Sequence, residues 1–372
     1  MTAHAPVGVG LIGAGNISDQ YLTNLTAFPD VRLVIVGDLD TARAQTQAQK
    51  YGVGEWGTAE RVLAHPDVDI VVNLTVPAAH AEVSSAAIAA GKHVWSEKPL
   101  AIDRPSARAL LDAAAAAGLR VGTAPDTVLG PGLQTARRAI ARGDIGTPLS
   151  AQTVMQYAGP DLWHPDPEFL FAEGAGPLFD MGPYYLTVLV SLFGSITRVS
   201  AVGSTGRAHR TIRTGARAGT DFAVSVPTHI AALASFEGGA VSQSTFSFDT
   251  PLTRTGIVEI TGTEGTLVLP DPNTFAGDVR ITRVPRPGSE PARETVTPVG
   301  VASGRGLGVL DMARAIRTGK PHIATGELGY HVLDAMMAID EAAASGETVH
   351  VTSKLDEIPL VPEDRDPYGA TL

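Results

Sequence analysis

Two closely spaced glycines near the start of the chain form a candidate phosphate-binding turn. They follow the apolar run Val7–Ile12, and a helical segment comes next. A strand that ends in such glycines and runs into a helix lets backbone N–H groups face an anion at close range. The G-x-G-x-x-G pattern is weak by itself, because its third position is Ser18. The predicted pyrophosphate-binding residues are Gly13, Gly15, Asn16 and Ile17.

A carboxylate follows the second apolar run at a distance that suits an adenosine ribose. The run Val31–Gly37 ends at Asp38, which lies 25 positions after Gly13. An acidic residue roughly 20 residues beyond the glycines accepts hydrogen bonds from the ribose diol, and it repels a 2′-phosphate. Asp38 therefore favours NAD over NADP. The alternative is a turn residue, because Gly-Asp-Leu-Asp is also good turn chemistry.

Lys98 is the first candidate for acid–base chemistry. It follows the short apolar run His93–Ser96, with Glu97 before it and Pro99 after it. An ammonium group at the carboxyl edge of a parallel sheet can hydrogen-bond a substrate hydroxyl or carbonyl oxygen. A solvated lysine paired with Glu97 is the alternative, and spacing alone does not separate the two.

Three further residues lie at the end of the buried run 69–75 or just after it, and so come to the same edge, where open α/β sheets bind their ligands. These are Thr75, Pro77 and His80. A single histidine at the start of a helix is also a common cap or packing residue. No histidine is spaced with carboxylates as in a metal site, so no metal is expected.

A second group of candidates lies further along the chain. Asp180 and Tyr184 are four apart after a Gly-rich turn, which places them on one face of a helix. Alternatively, Asp180 caps this helix and Tyr184 is a core aromatic. Trp163 and His164 lie in a Pro-rich loop just before it and could form a platform for a sugar-like ligand. A loop tryptophan that closes over the core is the alternative.

The elements that position these residues divide at about residue 125. Strands alternate with helices as far as Thr123, which predicts a doubly wound parallel sheet, the Rossmann arrangement. Beyond Pro148 short alternating strands predict an α+β domain with a large, mostly antiparallel open sheet. We therefore expect a dinucleotide-binding domain over residues 1–124 and a substrate-binding and oligomerisation domain over residues 125–372, whose sheet pairs two or four copies.

Composition narrows the class of protein. The 372 residues are enough for two domains, and the net charge of −11 argues against nucleic-acid partners. The lack of cysteine excludes disulfides and thiolate nucleophiles. No apolar run is long enough to span a membrane, and the first eight residues lack the pattern of a secretory leader, so we expect a cytoplasmic protein without membrane partners.

The glycine loop, the Asp38 strand end, the segment from Thr75 to His80 and above all Glu97-Lys98-Pro99 resemble the Gfo/Idh/MocA oxidoreductases. The resemblance implies that Lys98 lies between nicotinamide and substrate and that Thr75, Pro77, His80 and Glu97 flank the nicotinamide ribose. It also implies that the Asp180 segment is the catalytic Asp-x-x-x-His motif. Here position 184 is tyrosine instead, so either Tyr184 and Lys98 form a proton relay or Lys98 acts alone and Tyr184 binds substrate.

The expected activity is an NAD-linked dehydrogenation of a secondary alcohol in a sugar, cyclitol or related polyol. Lys98, Asp180 and Tyr184 are its expected catalytic residues. The predicted substrate-binding residues are these three together with Asp126, Trp163 and His164. Two alternatives are an NAD-dependent glycosidase, which uses transient oxidation of the sugar, and a redox-inactive sensor that binds the nucleotide.

Overall fold

The computed structural model describes residues 5–285 and 287–372, which form two compact units. The first contains the described residues of Met1–Pro131 together with Val299–Leu333 and Ile358–Leu372. The second contains Gly132–Pro298 and Asp334–Glu357. The units are thus discontinuous along the chain, whereas the sequence indicates one boundary before residue 125, which stays a prediction. The expected absence of a leader concerns residues that lie partly outside the described ones.

The first unit is built on a parallel sheet. Its strands are β1 (Val7–Ile12), β2 (Val31–Gly37), β3 (Glu55–Gly57), β4 (Ile70–Asn73), β5 (His93–Ser96) and β6 (Val121–Thr123). Their order is β3-β2-β1-β4-β5-β6, and each neighbouring pair is parallel. This order reverses direction between β1 and β4, which is the point where doubly wound sheets bind dinucleotides. The predicted Rossmann sheet is confirmed.

The helices that connect these strands are α1 (Ser18–Leu25), α2 (Thr41–Lys50), α3 (Ala59–Ala64), α4 (His80–Ala89) and α5 (Arg104–Ala116). Carboxylates that accept backbone N–H groups start two of them, Asp40 at α2 and Asp103 at α5. The sequence pattern places the start of α1 at Asn16. The structure starts it two residues later, because the preceding residues form the glycine turn.

The remaining elements, in chain order, are α6 (Pro131–Ala141), β7 (Pro148–Gln156), α7 (Gly176–Phe193), β8 (Ile196–Ser204), β9 (His209–Thr211), β10 (Asp221–Ala223), β11 (His229–Phe236), β12 (Val241–Ser247), β13 (Arg254–Gly262), β14 (Gly265–Val268), β15 (Val279–Arg283), β16 (Arg293–Val296), α8 (Leu307–Thr318), α9 (Gly326–Ser345) and β17 (Val349–His350). Within the described residues, no helix has the length and apolar character needed to cross a bilayer.

The sheet of the second unit has the strand order β16-β15-β14-β13-β7-β12-β11-β8-β17. Its neighbouring strands are antiparallel except β7 and β12, which are parallel. Along β11 the side chains of Ile230, Ala232, Ala234 and Phe236 are buried, whereas the alternate side chains point away from the core. Helix α7 packs on β7, β11 and β12. The predicted large, mostly antiparallel sheet is confirmed.

The C-terminal segment 358–372 packs against the start of β2 in the first unit. Asp30 is almost completely buried, and its carboxylate accepts hydrogen bonds from Arg314 Nε at 2.7 Å, Thr371 N at 2.9 Å and Thr371 Oγ1 at 2.8 Å. Leu372 N donates to the same carboxylate at 3.2 Å. One buried charge therefore holds both α8 and the end of the chain.

We expect Asp30→Asn to destabilise the protein by about 3 kcal/mol, because it leaves Arg314 without its buried counter-ion. Burial alone would raise the pKa of Asp30, but the hydrogen bonds from Thr371, Arg314 and Leu372 lower it below its ordinary value. The stabilisation is therefore present above the unfolded pKa of about 3.9 and is lost as the pH falls through the lower folded value.

Urea unfolding between pH 7 and pH 3 measures this effect, and the difference between parent and variant should shrink at the acid end. Asp67→Asn is the matched control, because Asp67 forms an exposed ion pair with Arg32, at 3.2 Å, in the same unit. Equal losses in the two variants would contradict the role given to Asp30.

Candidate functional site

The glycine turn after β1 is held tightly against the ends of β2 and β4. Gly13 N–H donates to Gly37 O at 2.8 Å, and Gly13 has a φ of +104°. A Cβ added at Gly13 would lie 2.6 Å from the carbonyl carbon of Leu74, so this position requires glycine. A Cβ added at Gly15 would meet no atom within 4 Å. The turn therefore leaves open space in front of the N-terminus of α1, as a bound pyrophosphate requires.

Asp38 lies beside this turn. It is buried, and its carboxylate accepts hydrogen bonds from Ala14 N at 2.7 Å and Asp40 N at 2.8 Å. The Arg43 guanidinium is 3.6 Å from Asp38 Oδ1. Asp38 thus ties the end of β2 to the glycine turn, in line with the turn interpretation, and its role at the adenosine ribose stays a prediction. The next side chain, Leu39, is fully exposed, an apolar group that sequence reasoning did not select.

Asn73, at the end of β4, shapes the segment that carries Thr75 and His80. Its amide donates to His80 O and to Ser84 Oγ, both at 3.0 Å, and its Oδ1 accepts from Thr75 Oγ1 at 2.7 Å. Asn73 has no exposed surface. Sequence reasoning missed it, although a polar residue that ends a buried apolar strand is a usable signal. The segment continues through Pro77, which begins a short 3₁₀ turn.

His80 links this segment to the turn after β5. Its Nδ1 lies 2.6 Å from Pro99 O, and its Nε2 lies 3.0 Å from Thr75 O. Burial lowers the pKa of His80, and these two carbonyl contacts act in the opposite direction. The ring is therefore a buried connector between two loops at the carboxyl edge, in line with the packing interpretation.

The Glu97 side chain fixes the backbone of Lys98. Glu97 N–H donates to Asn73 O at 2.8 Å, and its buried carboxylate accepts from Tyr21 Oη at 2.8 Å and from Lys98 N at 3.0 Å. Trp95 Nε1 in turn lies 3.2 Å from Tyr21 Oη. Lys98 is half-buried at the carboxyl end of β5. The chain Trp95–Tyr21–Glu97 therefore sets the position from which the Lys98 side chain extends.

Tyr21 was not among the predicted site residues. Burial and the Glu97 carboxylate raise the pKa of Tyr21, so the phenol stays protonated and donates a hydrogen bond to Glu97. The available signal was a tyrosine on the buried face of α1.

Asp126 has a structural role, contrary to the sequence-based assignment to substrate. It has no exposed surface, and its Oδ2 accepts from Gly306 N at 2.8 Å and Gly308 N at 3.1 Å, at the start of α8. Arg305 Nη1 lies 3.6 Å from Oδ1. Burial raises the pKa of Asp126, and Arg305 opposes that shift. This burial leaves no surface of Asp126 for a substrate.

In the second unit, Asp180 and Tyr184 lie one turn apart on α7. The helix begins after Ala175, with Pro177 in its first turn, so Asp180 lies inside the helix and is not its cap. Asp180 is half-buried, and Tyr184 is 6% exposed. Asp180 therefore stays a candidate for ligand contact.

Tyr157 follows directly after β7, and its ring packs edge-to-face on that of Phe248, with ring centroids 5.3 Å apart. Burial raises the pKa of Tyr157, and the Asp180 carboxylate raises it further. Trp163 is 60% exposed, so it does not close over the core, and its ring centroid lies 5.6 Å from that of His164. The structure places Trp163 and His164 side by side, and the 3₁₀ turn Glu168–Leu170 that follows them packs against α7, the helix of Asp180. Sequence reasoning did not select Tyr157.

Arg210, on β9, anchors the loop that carries Trp163. Its buried guanidinium donates to Asp161 Oδ1 at 2.7 Å, Asp249 Oδ1 at 2.5 Å and Ala158 O at 2.9 Å. It also stacks at 4.9 Å over the ring of Phe171. No local pattern distinguishes Arg210 in the sequence. In the part of the chain that the structure describes, no cluster of three or more metal-binding side chains occurs.

Comparisons with known proteins agree with these features. The family model "Oxidoreductase family, NAD-binding Rossmann fold" matches residues 7–124, and the model "GFO/IDH/MocA C-terminal domain" matches residues 133–268. The class of protein is an NAD(P)-dependent oxidoreductase that acts on CH–OH groups. The chain belongs to the Gfo/Idh/MocA family, as its motifs indicated.

Similar proteins include two curated enzymes and one solved structure. The 1,5-anhydro-D-fructose reductase of Ensifer adhaerens is 28% identical over 353 residues, 93% of this chain and 99% of that enzyme. The trans-1,2-dihydrobenzene-1,2-diol dehydrogenase of Bos taurus is 28% identical over 266 residues, 71% of this chain and 74% of that enzyme. An NAD binding oxidoreductase from Klebsiella pneumoniae superposes with a TM-score of 0.81 at 26% identity, over 94% of this chain and 100% of that chain.

We expect Arg210→Met to destabilise the protein by about 3–5 kcal/mol, because it leaves the buried Asp161 carboxylate without its partner. Arg217→Met is the matched control, since Arg217 also binds two carboxylates, Asp166 and Glu168, but at the surface. Urea unfolding compares the two variants. A loss for Arg210→Met no larger than that for Arg217→Met would contradict the anchoring role.

Proposed function

We propose that the protein is an NAD-dependent dehydrogenase of a secondary alcohol in a sugar, cyclitol or related polyol. The observation that carries this proposal is the Lys98 backbone, fixed by buried Glu97 at the carboxyl end of β5, close to the strand ends that form the glycine turn. The two curated relatives support it, because their names describe an anhydro-sugar and a cyclic diol as substrates.

The cofactor is assigned to the carboxyl edge of the parallel sheet. Gly13, Gly15, Asn16 and Ile17 would hold the pyrophosphate, and Asp38 the adenosine ribose, with Leu39 offering an apolar face to the adenine. Thr75 and Pro77 would border the nicotinamide ribose, and the buried side chains of His80 and Glu97 would hold the loops at this position. The Asp38 carboxylate disfavours a 2′-phosphate, so NAD is preferred to NADP. When bound, the nicotinamide exchanges a hydride with the substrate carbon.

The proton of the alcohol is assigned to Lys98 and Tyr184. A phenol has an unperturbed pKa of about 10, so it donates more readily than it accepts at neutral pH. Either Tyr184 passes the proton through the Lys98 ammonium, or Lys98 moves it alone and Tyr184 orients the substrate. Asp180 would bind a neighbouring hydroxyl, and Trp163 and His164 would contact the substrate further from the reacting carbon.

The cofactor assignment predicts different effects at the two glycines. Gly15→Ala should leave the free energy of unfolding within about 0.5 kcal/mol of the parent, because the added methyl meets no protein atom. It should weaken NAD binding by more than about tenfold, since the methyl enters the space assigned to the pyrophosphate. Gly13→Ala should instead destabilise the fold by about 2 kcal/mol or more. Calorimetric titration with NAD and urea unfolding measure these quantities, and unchanged NAD affinity in Gly15→Ala would refute the site.

Activity is tested by following NADH formation at 340 nm over a panel of cyclitols and sugars. Lys98→Met should lower kcat by about 10²–10⁴, the usual contribution of a positioned acid or base. Tyr184→Phe should lower kcat by about 10² or more if the relay operates, and should mainly raise KM if Lys98 acts alone. Tyr185→Phe is the matched control, because the Tyr185 hydroxyl bonds only Gly256 N among its described contacts, at 2.7 Å.

Three outcomes would contradict the proposal. Full activity of Lys98→Met on a substrate that the parent oxidises would remove the role of Lys98. Release of an aglycone without net NADH would indicate the glycosidase alternative. Binding of NAD without hydride exchange on any substrate would indicate a sensor.

We also propose that two or four copies associate through the exposed face of the second unit's sheet. The outward side chains near its centre are mostly neutral, and they include Leu233, Val241 and Val202, which are 58%, 48% and 67% exposed. Such a face loses little polar hydration when it is covered by a second copy. A single-chain mass in solution would contradict this assignment.

A further inference from the structure

Three aromatic rings form a row on the surface of the second unit. The Trp163 and His164 ring centroids are 5.6 Å apart, and those of His164 and Phe169 are 5.4 Å apart, both in edge-to-face geometry. Trp163 is 60% exposed and Phe169 is 52% exposed. We call these three residues the aromatic row. Two large exposed rings in one short loop present a concentrated apolar surface to solvent.

This exposure does not come from a loose loop. Before the row in the chain, buried Arg210 binds Asp161 at 2.7 Å. Along the rest of the loop, Arg217, in the turn between β9 and β10, pairs with Asp166 at 3.2 Å and with Glu168. A Cβ added at Gly215 in the same turn would lie 2.7 Å from Pro165 Cβ. Ion pairs therefore hold the loop at its start and along its second half. The loop presents a preformed surface, which reduces the entropy cost of ordering it when a ligand binds.

The row lies against the helix that carries Asp180. Phe169 belongs to the 3₁₀ turn Glu168–Leu170, and this turn packs against α7. The row and Asp180 therefore belong to one packed region of the second unit.

The middle ring adds a directed hydrogen-bond donor. Asp166 N donates to His164 Nδ1 at 3.0 Å, so in the neutral imidazole the proton lies on Nε2. A group bound along the row thus meets two apolar rings and one N–H donor. This combination suits a sugar or aryl ring joined through an ether oxygen, because the apolar ring faces pack on aromatics while the oxygen accepts a hydrogen bond.

We propose that the aromatic row is a distal subsite for a second ring attached to the ring that is oxidised, so the preferred substrate is a glycoside or disaccharide and not a free monocyclic sugar. This proposal rests on the proposed dehydrogenase function. Phe169, which sequence reasoning did not select, is assigned here as a specificity-determining residue.

The first test reads binding without turnover. The chain has three tryptophans, of which Trp95 is buried, Trp56 is half-buried and Trp163 is exposed, so acrylamide quenching reports mainly on Trp163. With NAD present, cellobiose and phenyl β-D-glucoside should reduce the quenching constant by about half in a saturable manner, while glucose at equal concentration should not. Trp163→Phe should abolish the difference. Protection by neither ring-bearing probe, or equal protection by glucose, would overturn the subsite.

The second test uses turnover. The ratio of kcat/KM for a ring-bearing substrate to that for its ringless counterpart should fall by about tenfold in Phe169→Ala. Leu162→Ala is the matched control, because Leu162 is 50% exposed in the same loop but adds no ring, and its ratio should match that of the parent. An unchanged ratio in Phe169→Ala would overturn the assignment. If no compound is oxidised, the proposed function fails, and the quenching result still decides whether the row binds a second ring.

Discussion

The close approach of Gly13 to the backbone of Leu74 is the constraint on which the cofactor edge of the first unit depends. A side chain at position 13 would overlap this carbonyl group, so the turn after β1 and the end of β4 can come together only at a glycine with positive φ. The N–H of Ala14 then reaches the Asp38 carboxylate, which ties β2 to the same edge. A steric requirement at one residue thus brings the ends of β1, β2 and β4 together at one edge of the sheet.

Buried charges complete the arrangement within each unit. In the first, the Glu97 carboxylate is surrounded by donors from Tyr21 and Lys98, and Asp126 accepts the N-terminus of α8. In the second unit, the Arg210 guanidinium forms ion pairs with Asp161 and Asp249. Such pairs contribute little net stability compared with apolar packing, but an incomplete pair costs several kcal/mol. They therefore favour a single geometry for the loops that they hold.

In the second unit, buried aromatic side chains support a loop that exposes two others. Phe171 and Phe248 are buried, with ring centroids 5.7 Å apart, and the Arg210 guanidinium stacks on the ring of Phe171. Trp163 and Phe169 belong to the same stretch of chain but remain at the surface. An apolar side chain that is already held in place at the surface loses little further conformational entropy when a ligand binds. More of the contact free energy therefore appears as affinity.

Local patterns determined much of this protein. Period-two and buried apolar runs predicted both sheets, and the glycines with Asp38 indicated a dinucleotide site. The resemblance of Glu97-Lys98-Pro99 to the family motif implied an oxidoreductase. Each of these features is a short run of neighbouring residues. Only the tertiary structure revealed Tyr21 and Arg210, whose partners lie tens of residues away, and Tyr157, whose ring packs on that of Phe248. It also showed Asp126 as a buried helix cap and joined the last residues to Asp30. Contacts between distant segments set burial and charge pairing, and no local pattern encodes them.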